Sequence, residues 1–78
     1  MAEQPDPTTP ALLTAEAVGH VLSISTRQVW RLAASGQLPA PVRLGRRSRW
    51  RLAELMQWIG AGLPPRDEWA RLKADSER

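Results

Sequence analysis

Seven arginines crowd the middle of this chain. Arg27, Arg31, Arg43, Arg46, Arg47, Arg49 and Arg51 are faced by only Glu16 and Glu54 between residues 11 and 64. Residues 1–10 carry two acids and no base, and residues 65–78 balance four bases with four acids, so the net charge of +3 arises in the centre. A guanidinium group is a planar fork of donors that matches phosphate oxygens and the guanine edge. A belt of arginine therefore points to a polyanion as partner.

Two groupings within the belt could do different chemistry. Arg27 and Arg31 stand one helical turn apart, with Thr26, Gln28 and Trp30 beside them and Ala34 next along the same face. Arg can bind guanine O6 and N7, Gln can bind adenine, and Thr or Ala methyl groups can touch thymine in the major groove. The plainer alternative is a solvated helix face. Arg43 and the run Gly45-Arg46-Arg47-Ser48-Arg49 form the second grouping. With no acid beside it, this run suits phosphates or the negative potential of the minor groove, and its plain alternative is a basic loop without a ligand. Trp30 has two readings, stacking on the DNA backbone or covering the edge of the core.

Other chemistries find little here. There is no Cys, and His20 is the only His and reads as a surface residue. Thiolate or multi-His metal sites are therefore excluded. No Ser–His–acid set, phosphate-cradling Gly loop or acidic metal cluster is visible, so no catalytic residue, metal or cofactor is expected. Lack of Cys fits a reducing cytoplasm. No apolar run reaches the roughly 18 residues of a bilayer span. Met1–Pro10 has Glu3 and Asp6 without a positive charge and does not read as a signal peptide. A cytoplasmic protein with no membrane partner is expected.

Short helices and a hairpin must position the arginines. Residues 1–10, with Pro5, Pro7 and Pro10, read as a disordered tail. Thr14 is a good N-cap, Leu13 and Val18 have the spacing of a hydrophobic staple, and Ala17, Val18, Val21 and Leu22 make one apolar stripe. Gly19 weakens that helix but lets a second helix approach. Ser25-Thr26-Arg27-Gln28 reads as a capping box for a second helix, with Val29, Leu32 and Ala33 inward and Gly36 as its stop. Two such helices joined by a tight turn make a helix-turn-helix.

Leu38-Pro39-Ala40-Pro41 then breaks the helical pattern. Val42 and Leu44, alternating with Arg43, read as the inward residues of a half-buried strand, which turns at Gly45 and returns from Ser48 to an inward Trp50. Leu52, Leu55, Met56 and Ile59 give a third helix, poorly capped at Arg51 and ended by Gly60 and Gly62. Trp50 and Trp58 read as core. Pro65 starts a short fourth helix whose apolar face is only Trp69 and Leu72. The expected fold is mainly α with a small β-hairpin, a winged helix-turn-helix over residues 11–62, with 63–78 as a C-terminal extension.

The series Leu13-Thr14-Ala15-Glu16-Ala17-Val18, Leu22-Ser23-Ile24-Ser25, Val29-Trp30-Arg31-Leu32, Gly36-Gln37-Leu38-Pro39, Val42 to Arg47, then Trp50-Arg51 to Trp58-Ile59 resembles the excisionase-like winged helix-turn-helix proteins, relatives of the MerR-type DNA-binding domain. Phage excisionases (recombination directionality factors) and small prophage regulators share that pattern. The resemblance spans about residues 12 to 60. It implies that the helix from Thr26 to Ala34 enters the major groove of double-stranded DNA and that the wing around Arg46 and Arg47 meets the minor groove or its backbone. It also implies binding at repeated sites side by side, DNA bending, and an integrase or recombinase as partner. The missing polar cap at Arg51 and the segment after Gly62 depart from the family pattern. Two other readings are a small prophage transcriptional regulator and a winged helix turned to protein contacts, with residues Trp69 to Leu72 supplying a contact to an integrase. RNA is a weaker partner, because a sheet with exposed stacking aromatics is missing.

Overall fold

Two hydroxyls start the first two helices. In the computed structural model, which describes residues 10–76, the chain forms β1 (Leu12–Leu13), α1 (Ala15–Leu22), α2 (Thr26–Ala34), β2 (Val42–Leu44), β3 (Arg47–Arg51), α3 (Leu52–Gly60) and α4 (Arg66–Ser76). The tail read over residues 1–10 lies, apart from Pro10, outside the described residues. Thr14 Oγ1 accepts from the Ala17 amide at 3.1 Å, and Ser25 Oγ accepts from the Gln28 amide at 3.1 Å. Each satisfies one of the donors that a helix start leaves open. Only the Ser25 half of the expected capping box is present among the described residues. Among the described residues the Gln28 side chain forms no hydrogen bond, and its amide alone donates to Ser25.

The turn between α1 and α2 is tight for a steric reason. Ser23 takes the left-handed conformation (φ 61°), and the Ile24 amide donates to the Gly19 carbonyl at 2.9 Å. A Cβ on Gly19 would lie 2.7 Å from the Ile24 carbonyl oxygen and 3.5 Å from Val29 of α2. Gly19 therefore costs helix propensity, about 1 kcal/mol relative to Ala, and in exchange permits the turn.

The sheet has three strands in the order β1-β3-β2, all antiparallel. It is therefore one strand wider than the expected hairpin. Leu12 and Leu13 pair with Arg51 and Trp50, a two-residue strand too short to leave a periodic signal. At the other edge Val42, Arg43 and Leu44 pair with Arg49, Ser48 and Arg47, leaving Gly45-Arg46 as a two-residue turn. Gly45 has φ 64°, and positive φ at the first of two turn residues is the type II′ pattern that follows strand twist.

Partners across an antiparallel pair share a face of the sheet. Leu13, Trp50, Ser48 and Arg43 therefore lie on one face, and Leu12, Arg51, Arg49, Arg47, Val42 and Leu44 on the other. This corrects the inward reading of Leu44, which is 58% exposed. The register puts it opposite Arg47 on the outer face, next to the hairpin turn.

The core gathers Leu13, Val18, Val29, Leu38, Trp50, Leu55, Trp58 and Trp69 beneath the sheet and between the helices. Three buried indoles would be costly if their N–H groups were unpaired. Trp50 donates to the Pro39 carbonyl (2.9 Å), Trp58 to the Pro64 carbonyl (2.8 Å) and Trp69 to Glu54 Oε2 (3.0 Å). No buried side-chain nitrogen or oxygen lacks a partner among the described residues.

Arg51 precedes α3 without a side-chain capping bond, as its residue type implies. The Leu52 amide instead donates to the Ala11 carbonyl at 2.9 Å, so backbone entering β1 serves part of the capping role.

Candidate nucleic-acid interface

Helix α2 sorts its side chains cleanly. Val29 is buried and Leu32 and Ala33 half-buried on one side, while Thr26, Arg27, Trp30, Arg31 and Ala34 are exposed. Gln28 sits half-buried at the border. An α-helix advances about 100° per residue, so Arg27, Arg31 and Ala34 share the face opposite Val29. That face is polar, cationic and open.

The hairpin is brought beside this face by two tryptophans. Trp30 on α2 and Trp50 on β3 meet edge to face, with centroids 5.6 Å apart and planes at 62°. Trp50 is 1% exposed and anchored in the core, whereas Trp30 remains 48% exposed. Trp30 thus contacts the core through Trp50, as one reading expected, while much of its ring stays open on the helix surface that carries Arg27 and Arg31. Edge-to-face aromatic pairs add about 0.5–1.5 kcal/mol beyond burial, enough to orient an element that carries little core of its own.

The wing arginines do not form one patch. Trp50 faces α2, so Arg43, on the same face of the sheet, is on the α2 side. Arg47 and Arg49 project from the reverse face, and Arg46 occupies the turn. Arg43, Arg46 and Arg47 are exposed, while Arg49 is half-buried and donates from Nη1 to the Ser48 carbonyl at 2.8 Å. A two-stranded ribbon with guanidinium groups on both faces can meet phosphates on both sides of a groove.

A helix-turn-helix domain model matches residues 12–62. The chain belongs to the helix-turn-helix domain family. Its two capped helices, tight Ser23–Ser25 turn and β2–β3 hairpin are the parts of a winged helix-turn-helix, a DNA-binding fold. No curated protein and no solved structure matches the chain significantly. No described helix is long and apolar enough to cross a membrane, and no group of three or more His, Cys, Asp or Glu that could hold a metal occurs among the described residues.

The helix-turn-helix match ends before α4, yet α4 is tied firmly to the rest. Trp69, 7% exposed, enters the core, and its indole shares Glu54 Oε2 with Lys73 Nζ, which sits at 2.6 Å from that oxygen. Lys73 Nζ also lies 5.7 Å from the Trp69 ring centroid. Burial pushes the Glu54 carboxyl up. The hydrogen bonds from Lys73 and Trp69 and the charges of Lys73 and Arg51 outweigh it, holding the group below the usual carboxylate range. This packing corrects one sequence expectation. Trp69 is buried and faces inward, so of the Trp69 to Leu72 segment only Ala70, Arg71 and Leu72 are exposed.

Sequence reasoning also missed Arg66. Its Nε donates to the Leu38 carbonyl and its Nη2 to the Ala33 carbonyl, both at 3.0 Å, and its amide donates to the Gly36 carbonyl at 2.9 Å. One Arg after Pro64-Pro65 gives no signal of this, since its partners lie about thirty residues back along the chain.

Proposed function

We propose that this protein is a sequence-specific double-stranded DNA-binding protein of the phage-excisionase kind. In this reading α2 lies in the major groove, where Arg27 and Arg31 read base edges with Thr26, Gln28 and Trp30 flanking them. Arg43, Arg46, Arg47 and Arg49 of the wing hold the adjacent minor groove and its phosphates. The protein would bind attachment-site DNA, bend it and steer an integrase toward excision, with copies on neighbouring sites.

One observation supports this reading above the others. The Trp30–Trp50 contact joins the basic ribbon to the helix that exposes Arg27 and Arg31, so that helix and ribbon can engage adjacent grooves together. A ribbon gripping phosphates on both sides favours a deformed duplex over a straight one.

The test is anisotropy on duplex from upstream of the protein's own gene and on scrambled duplex, across a salt series, with a gel-mobility bending assay on circularly permuted fragments. Neutralising about five phosphates gives a log–log salt slope near −4.5. Tight, salt-steep binding to the native duplex with bending supports the excisionase reading. Specific binding without a bend favours the small-regulator reading, and no binding to either duplex at low salt refutes DNA recognition altogether.

A further inference from the structure

The segment from Ala33 to Val42 decides how the recognition helix and the wing sit relative to each other. It contains the last turn of α2, the left-handed Gly36 (φ 75°) and the buried pair Leu38-Pro39 before β2 begins. Without regular pairing, such a link keeps one shape only if its carbonyls are held from outside. Pro39 is held by the indole of Trp50, from the wing. Ala33, Gly36 and Leu38 are all held by Arg66.

Arg66 therefore does three things at once. Its side chain sits at the C-terminal end of α2, where open carbonyls and the helix dipole favour a cation. Its rigid fork bridges Ala33 and Leu38, fixing the exit of the helix against the entry to the wing. Its amide closes on Gly36 at the bend between them. The opposite end of this strut is anchored independently, by Trp69 in the core and by Glu54 of α3. Arg66 and Trp69 themselves lie beyond the residues that the helix-turn-helix model matches.

We infer that Arg66 is a positioning residue for DNA recognition: by clamping the α2–wing link, α4 sets the geometry in which helix and wing reach two grooves together. This rests on the DNA-binding reading above. A helix and a wing held within about half an ångström can satisfy base-edge bonds and phosphate contacts simultaneously, and a loosened link must satisfy them in turn. Discrimination between sequences should suffer more than general affinity for duplex.

The full chain is tested as wild type, Arg66→Lys and Arg66→Ala, on a duplex enriched by the wild type from a random pool and on a scrambled duplex, at several salt concentrations. Lys keeps the charge but cannot bridge two carbonyls with a planar fork. The expected result is a fall of about tenfold to a hundredfold in the affinity ratio of enriched to scrambled duplex for both variants. Affinity for scrambled duplex and the salt slope should remain unchanged, and amide exchange should quicken at Gly36 and Gln37. A direct phosphate contact would behave otherwise, with the slope reduced by about 1 in Arg66→Ala and restored by Lys. That pattern, or an unchanged ratio in Arg66→Lys, overturns the positioning role. Failure of Arg66→Lys to fold, read by near-ultraviolet dichroism of the tryptophans, makes Arg66 a stability residue and also overturns it. Failure of the wild type to enrich any sequence instead refutes the underlying DNA-reading function, and the positioning role with it.

Discussion

Residues 14–34 and residues 47–76 are built on opposite principles. In the first region each helix carries its own start: Thr14 and Ser25 cap α1 and α2 from the adjoining residue. In the second, α3 begins at an uncapped Arg51 and relies on the Ala11 carbonyl, while α4 is held by Glu54, Leu38 and Ala33. The first region is specified by neighbours in the chain and the second by neighbours in space. Helix α2, the proposed reader, lies in the locally specified region, while Arg66, which we infer to position it, lies in the other.

The largest effect should come from the long-range region. Trp69→Ala removes a buried indole and leaves Glu54 with Lys73 alone, and truncating a buried Trp costs about 3–5 kcal/mol. Urea denaturation should show that loss, with α4 detached. A cost under about 1 kcal/mol would mean that α4 is an appendage and not part of the core.

The two helix starts sharpen the contrast at a smaller scale. Ser25→Ala should destabilise by about 1 kcal/mol, because the Gln28 amide loses its acceptor. Arg51→Ala should stay within about 0.5 kcal/mol, because its side chain makes no capping bond. Equal costs in thermal melts would erase the distinction between the regions.

The smallest effect is a pH dependence confined to the long-range region. The Glu54 carboxyl is held below its ordinary value of 4.5 in the folded chain. Its contribution is therefore present above that value and is lost as pH falls through the lower, folded-state pKa. The Lys73 side chain is 44% exposed, so the pair is partly screened and the effect modest. Stability of the wild type should fall more than that of Glu54→Gln between pH 5 and pH 3, in urea titrations at fixed temperature. Parallel curves would show that the carboxylate contributes nothing.

The same contrast explains what the sequence made legible. Caps, apolar stripes and the Gly45 turn act over a few residues, so α1, α2, the wing and the exposure of Arg27 and Arg31 follow from residue types alone. Leu12-Leu13 as a strand does not, because two residues define no period and only the edge of β3 makes them one. Leu44 was misjudged because alternation gives two faces without saying which one faces inward. That choice was made by Trp50 pairing with Leu13 and packing on Trp30. Residue type alone gives no signal of the roles of Arg66 and Glu54, since their partners are far away in sequence.

The central claim is that α2 reads sequence while the wing supplies grip. Anisotropy titrations of Arg31→Ala and Arg46→Ala, against enriched and scrambled duplex over a salt series, test it most directly. Arg31→Ala should cost roughly 1–3 kcal/mol on the enriched duplex with little change on the scrambled one, whereas Arg46→Ala should weaken both alike and flatten the salt slope by about 1. Equal loss on both duplexes from Arg31→Ala would contradict the assignment of α2 as the reader.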